Sequence, residues 1–221
     1  MPFAVACFCS YFCNRSLMWR GEDFDSFKWI KALKGEEIRG YATVPVNGTW
    51  RRLTNANVDS AVDWFASIAA EHLRKRKIKG PFVIIPVPNS KCVVSSTVKP
   101  QTRKLAKALC DVLGDGSSVA DCLRWKKNLG SASKEGGPRE PEILYNNAVL
   151  LADALKGVDH SQLVILVDDV TTSGGHLRAC AAKLRSKQLK VKIALCGGKT
   201  TYGQDNPAFH LYEDELEDYG P

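Results

Sequence analysis

Behind Asn57 the apolar residues fall three and four apart: Val58, Ala61, Val62, Phe65, Ile68, Ala69, His72 and Leu73. That spacing predicts an amphipathic helix with Asn57 as its cap and His72 packed on the core face. The helix runs out in Arg74, Lys75, Arg76, Lys77 and Lys79 before Gly80 and Pro81. Cations there complement the negative end of the helix dipole, and a nucleic-acid patch is the alternative reading. Before this helix, Gly35, Gly40, Pro45 and Gly48 interrupt the pattern, so residues 1–56 are expected to be irregular apart from a short strand at Tyr41–Val46.

After Pro81 the pattern alternates between short apolar runs and helical spacing. Strands are predicted over 82–87, 119–123, 163–167 and 191–196, and helices over 100–113, 142–156 and 175–187. Between them, residues 125–141 (WKKNLGSASKEGGPREP) form a long polar loop, a length that is usually functional inside a domain. Strands alternating with helices predict an α/β fold with a mainly parallel, twisted sheet covered by helices on both faces. The chain then divides into an N-terminal hood at 1–56, an α/β core at 57–199 and a tail at 200–221 packing on that core.

Composition narrows the setting. The 221 residues are 44% hydrophobic and 25% charged, enough for one sizeable core. No apolar run reaches the roughly 18–20 residues of a spanning helix, and the short apolar N-terminus lacks a signal-peptide pattern, so the cytoplasm is the expected location. The formal charge is +7, but Asp205, Glu213, Asp214, Glu215, Glu217 and Asp218 follow Lys199 with no Lys or Arg among them. The body is therefore far more basic than the whole, which suits phosphorylated ligands or nucleic acid. The acidic tail could fold over a basic mouth and compete with phosphate, while Phe209 and Tyr212 are read as anchors of that tail. The eight cysteines lie mostly inside periodic segments, which favours reduced thiols. Cys7, Cys9 and Cys13 lack the paired spacing and fourth ligand of a zinc site, and read better as a buried apolar edge.

Candidate chemistry concentrates in VILVDDVTTSGGH, residues 164–176. An apolar strand ends in two carboxylates, Asp168 and Asp169, and a small-residue turn leads into a helix. Ligands of open α/β sheets bind at such strand ends. A turn of small residues before a helix exposes unpaired backbone N–H groups at the positive end of the dipole, which is a phosphate cradle. Thr171, Thr172 and Ser173 add hydroxyl donors, and Gly174 and Gly175 allow close backbone approach; His176 is a further candidate phosphate ligand. Paired carboxylates can accept from two vicinal hydroxyls or hold a divalent cation shared with a diphosphate. The combination fits a phosphorylated sugar. Neither the P-loop pattern nor the dinucleotide fingerprint occurs.

VILVDDVTTSGG resembles the phosphoribosyl-pyrophosphate (PRPP) signature of type I phosphoribosyltransferases, and the resemblance runs from about Pro81 to Gly198. Within that family the chain is most similar to the ComF-type branch, through Ile85-Pro86-Val87-Pro88 with Lys91, and through a later basic loop followed by Arg139 and Asn146. The resemblance implies that Asp168 and Asp169 contact the ribose hydroxyls and, directly or through water, Mg²⁺. It implies that Thr171, Thr172, Ser173, Gly174, Gly175 and His176 hold the 5′-phosphate, and that Pro88, Asn89, Ser90 and Lys91 face the pyrophosphate. Residues 125–141, with Lys126, Lys127 and Arg139, become a mobile flap over the reacting centre. The sequence departs from the family in ending the phosphate loop with His176 rather than Thr, and in lacking a paired-Cys zinc ribbon at its start.

Two function classes follow from the resemblance. One is an enzyme that uses PRPP and Mg²⁺ to transfer ribose-5-phosphate to a nitrogenous base or related acceptor, with a homodimer plausible and nucleic acid not required. The other is a non-catalytic PRPP- or nucleotide-binding regulator, or a ComF-like accessory factor in DNA handling. The acceptor is not named by any residue pattern.

Overall fold

A computed structural model describes residues 1–114, 116–128, 130, 138 and 140–219. In chain order its elements are β1 (Pro2–Cys7), β2 (Ser10–Phe12), α1 (Gly21–Leu33), β3 (Tyr41–Val46), β4 (Thr49–Thr54), α2 (Ser60–Lys75), β5 (Phe82–Pro86) and α3 (Thr102–Leu113). There follow β6 (Ser118–Val119), β7 (Leu123–Trp125), α4 (Pro141–Asn147), β8 (Ala148–Leu150), β9 (Leu163–Thr171), α5 (Gly175–Arg185), β10 (Val191–Thr201) and β11 (Tyr212–Glu217). No helix among the described residues is long and apolar enough to cross a membrane.

Val164, Ile165, Leu166 and Val167 are all buried, so both faces of β9 need cover. The strand accordingly lies inside the main sheet, whose order is β11-β1-β10-β9-β5-β6, with β2 pairing the far end of β10. All of these pairings are parallel except β1 with β11. Side chains alternate across the sheet. Ile84, Ile165, Val167, Ile193 and Leu195 face a core built from α1, α2, α3 and the β3–β4 hairpin. Val83, Ile85, Val164, Leu166, Ala194 and Cys196 face the opposite core, which α5 covers with Leu177, Ala181 and Leu184. This is the mainly parallel α/β sheet with helices on both faces that the alternating pattern predicts.

Four segments differ from the sequence reading. Residues 1–56 are more regular than expected: β1 and β2 belong to the sheet, and only the segment holding α1 and the hairpin lies over it. The N-terminal run was illegible because it buries both faces, Phe3, Val5 and Cys7 on one side and Ala6 and Cys9 on the other, which erases alternation. Cys7 pairs in register with Cys196, and no disulfide joins the eight cysteines. The expected helix over 142–156 stops at Asn147, where Ala148–Leu150 pairs β7 instead. The expected strand over 119–123 splits into β6, in the main sheet, and β7, in that separate ribbon. The helix expected from Asn57 begins at Ser60, because Asn57 accepts from the backbone and hydroxyl of Thr54 and closes a 3₁₀ turn first. The tail enters as β11, antiparallel to β1, with Asp218 receiving both the N-terminal ammonium and Arg185.

Candidate active site

β9 runs four residues past the expected Val167, because its C-terminal half keeps pairing with the long β10 at Cys196↔Asp168, Gly198↔Val170 and Lys199↔Thr171. Asp168 and Asp169 therefore sit on a held strand end rather than in a loop. The chain turns at Thr172–Gly174, with the Thr172 and Thr200 hydroxyls 2.9 Å apart, and α5 begins at Gly175. Gly174 has φ +77°, the left-handed region in which a side chain is strained, and a Cβ there would collide with Leu216 of β11. The tail strand thus braces the loop from behind and does not cover its mouth.

This loop forms one wall of a cleft of about 410 Å³. The turn Pro88–Ser90 after β5 and the start of α3 form another wall, where the Thr102 hydroxyl donates to the Val87 carbonyl at 2.6 Å. Trp125 holds the same turn by donating from its indole N–H to the Pro88 carbonyl at 3.1 Å, and its ring packs edge-on to His176. The remaining wall comes from the N-terminal segment and the end of β10: Tyr11, Cys13, Lys34, Thr200 and Tyr202.

Lys34 is the residue that sequence reasoning missed. It follows α1, which packs tightly on β10 where Gly197 and Gly198 leave room: a Cβ at Gly197 would collide with Leu33 and come 2.8 Å from the Asp169 carbonyl oxygen. The approach brings Lys34 Nζ to 2.7 Å from Asp169 Oδ1. Burial opposes the Lys34 charge, but Asp169, with help from Asp168 and Tyr11, outweighs it and holds the ammonium above its ordinary range. Asp168 is pushed well above the usual carboxylate range by burial and by the neighbouring Asp169, while Lys34 and the Asp169 backbone N–H, which donates to Asp168 at 2.8 Å, pull the other way. His176 is shifted down by burial, against a smaller pull from Asp169, and so meets the loop as a neutral ring at neutral pH. The available signal for Lys34 was the spacing Ser26, Trp29, Ile30 and Leu33, all buried on one face of α1 just ahead of it.

Of the residues expected here, Asp168, Asp169, Thr171–His176 and Pro88, Asn89 and Ser90 line the cleft. Lys91 does not line it and is exposed; its backbone N–H donates to Asn89 Oδ1. Lys126 does not line it either. It lines a neighbouring pocket beside the β7–β8 ribbon with Lys127, Ile143 and Asn146. Arg139 and most of the expected flap lie outside the described residues. Phe209 and Tyr212 stay out of the cleft. No group of three or more His, Cys, Asp or Glu that could hold a metal occurs among the described residues. Two adjacent carboxylates, one already paired with Lys34, do not make a protein cage for Mg²⁺. They do fit the other way Mg²⁺ is held, through one or two carboxylates together with ligand phosphates and water.

No family model matches the chain, and no curated protein does at a significant level. Solved structures similar to it include a hypoxanthine phosphoribosyltransferase from Staphylococcus aureus, at 12% identity and a TM-score of 0.40 over 67% of this chain and 78% of the other. An adenine phosphoribosyltransferase is similar at 12% identity and 0.40, over 77% and 89% of the two chains. An orotate phosphoribosyltransferase from Francisella tularensis is similar at 14% and 0.36, over 78% and 85%. At such identities and scores these likenesses assign no activity, and the chemistry of the cleft is read from its own residues.

Proposed function

We propose that the chain binds PRPP in this cleft and transfers its phosphoribosyl group to a nitrogenous base or related acceptor, releasing pyrophosphate. The observation that carries the reading is the placement of two carboxylates and a left-handed glycine turn, at the end of one buried strand, around one cleft. In this reading the backbone N–H groups from Thr172 to His176, with the Thr172 and Ser173 hydroxyls, hold the 5′-phosphate at the positive end of α5. Asp168 and Asp169 accept from the ribose hydroxyls, and the Lys34 ion pair fixes Asp169 in place. The turn Pro88–Ser90 faces the diphosphate. Tyr11 and Tyr202 offer flat walls for a planar acceptor. When the C1–O bond breaks, the electron pair leaves with pyrophosphate and the acceptor nitrogen forms the new bond to C1. Mg²⁺ bound with the diphosphate supplies charge neutralisation to the leaving group, and Asp168 and Asp169 are the residues that would hold it.

A second reading is favoured by one feature. Among the described residues Lys34 is the only Lys or Arg lining the cleft, and Asp169 already pairs it. A site so lightly charged suits a PRPP- or nucleotide-binding regulator, or a ComF-like factor in DNA handling, that binds without turnover. Pyrophosphate release from PRPP and Mg²⁺ across a panel of purines, pyrimidines and related bases, with Asp168→Asn/Asp169→Asn as the control, separates the two. Release with one acceptor that the double variant abolishes supports transfer. Saturable PRPP binding without release for every acceptor supports the regulator, and no PRPP binding at all sinks both. DNA binding that weakens steeply with salt supports the DNA-handling form.

A further inference from the structure

The β3–β4 ribbon turns one face to the core and the other to solvent. Ala42, Val44, Val46 and Leu53 are buried in the core. Directly opposite residues of an antiparallel pair share a face, and faces alternate along each strand. The register therefore puts Tyr41 with Thr54, Thr43 with Arg52, and Pro45 with Trp50 on the outward face. Tyr41 is 50% exposed and Trp50 is 64% exposed. Of the five tryptophans, Trp50 alone is exposed. Phe209 packs nearly perpendicular to its ring at 6.1 Å, which steadies the indole while leaving it open to solvent. At the other end of the face Arg52 lies over Tyr41, 4.3 Å from the ring centre, and Lys28 of α1 donates to the Tyr41 carbonyl at 2.7 Å.

The charge of this ribbon is of one sign. Residues 38–58 contain Arg39, Arg51 and Arg52 and no Asp or Glu. All three arginines are exposed, and none of them forms an ion pair among the described residues. Asp25 of α1 accepts from the Thr43 backbone N–H and offsets Lys28. The basic run at the end of α2 is different, because Glu71 pairs Arg74 and Lys75, and Glu213 pairs Arg76. Charge on a ribbon edge by itself guards against pairing with another chain. An exposed tryptophan beside that charge does the opposite. The two together fit a ligand that offers both negative charge and flat apolar faces.

We propose that this face binds single-stranded nucleic acid, with one base stacked on Trp50, another on the Tyr41–Arg52 pair, and the phosphates drawn to Arg39, Arg51 and Arg52. An unpaired strand is the polyanion whose bases have open π-faces, and aromatic rings beside cations are how such strands are held without sequence preference. Tyr41 and Pro45, the latter opposite Trp50, stand about 13 Å apart along the strand, so the two stations serve different bases of one strand. The proposal stands apart from both readings of the cleft, since none of these residues lines it.

The test titrates the full chain into fluorescein-labelled oligothymidylate and oligouridylate of about 12 nucleotides at rising salt, reading anisotropy and, with unlabelled strands, tryptophan fluorescence. The expected result is saturable binding with tryptophan quenching, and a slope of log affinity against log salt of about −2, from three phosphates at about 0.7 each. Trp50→Ala should weaken binding about tenfold, keep the slope and abolish the quenching. Trp50→Phe, which keeps a stacking ring, should restore most of the affinity. Arg51→Gln/Arg52→Gln should weaken binding at least tenfold at low salt and bring the slope to about −0.7. No saturable binding up to about 100 μM protein in about 50 mM salt overturns the proposal. Unchanged affinity in Trp50→Ala would make the face a bare polyanion patch, and unchanged affinity in the arginine variant would move the contact elsewhere; either overturns it. Equal affinity for a duplex of the same length overturns it too, as does competition by PRPP, which would place the strand in the cleft.

Discussion

Lys34→Met removes the ammonium from Asp169 while keeping most of the length and volume of the side chain. The pair is closed at 2.7 Å, and its side chains are 25% and 16% exposed. An open surface pair is worth about 0–1 kcal/mol, and stranding one partner of a fully buried pair costs about 3–5 kcal/mol. Lys34 and Asp169 lie between those limits, so the expected loss is about 2 kcal/mol at neutral pH. With a urea m-value of about 2 kcal/mol per molar, that is a midpoint lower by about 1 M. The pH dependence has a defined sign. Lys34 is raised in the folded chain, so its stabilisation is present at neutral pH and fades only as pH climbs through its folded value in alkali. On the acid side Asp168 is raised, so its charged form opposes folding and is relieved as pH falls. Without Lys34 that opposition grows, so the deficit of the variant should be largest near neutrality and shrink toward about pH 4, where carboxyls protonate. Urea unfolding of the parent, Lys34→Met, Asp169→Asn and the double variant at both pH values measures this. The double variant should lose less than the two single losses added together. A midpoint change under about 0.25 M at neutral pH, or strict additivity of the two substitutions, would refute the claim that this pair organises the site.

Gly174→Ala forces a side chain into the left-handed region and into Leu216, so it should cost about 1–2 kcal/mol in unfolding experiments and weaken PRPP at least tenfold by calorimetry. Unaltered affinity would remove the loop from the phosphate site. Thr102→Val deletes the 2.6 Å hydrogen bond to the Val87 carbonyl ahead of the Pro88 turn and leaves that oxygen buried, with an expected loss of about 1–3 kcal/mol in thermal or urea unfolding. Asp23, buried in α1, is lifted by burial but lowered further by its hydrogen bonds from Arg20 and Gln204, and ends below the ordinary carboxylate range. Its contribution is complete above about pH 4 and lost as pH falls through the depressed folded value, so Asp23→Asn should flatten the acid limb of the stability–pH curve.

How much could be read in advance depended on how local the cause was. The strands at 82–87 and 163–167 and the helix at 175–187 were legible because β5 and β9 bury continuous apolar runs and α5 presents a periodic stripe, and both signals are carried by neighbours in the chain. The turn between β9 and α5 was legible for the same reason: a strand end, two acids and a glycine turn are consecutive residues. The position of Lys126 was not legible, because nearness in sequence to a polar loop says nothing about the face on which that loop sits. The pairing of β7 with β8, across more than twenty residues, decided it. The long helix expected at 142–156 failed on the same strand pair, where ladder hydrogen bonds to β7 override a helical apolar spacing.

The sequence by itself determined the parallel α/β architecture and the order of acids, hydroxyls and glycines at residues 168–176, since periodicity and turn chemistry act over a few residues. Only the tertiary structure decided what faces that chemistry. It placed Lys34 on Asp169 across 135 residues and packed Leu216 behind Gly174. It also buried the ring nitrogens of Trp29 and His72 without a hydrogen-bond partner. Each of these depends on close packing between elements distant in the chain: glycines where α1 meets β10, an edge strand formed by the tail, and rings whose nitrogens find no backbone partner.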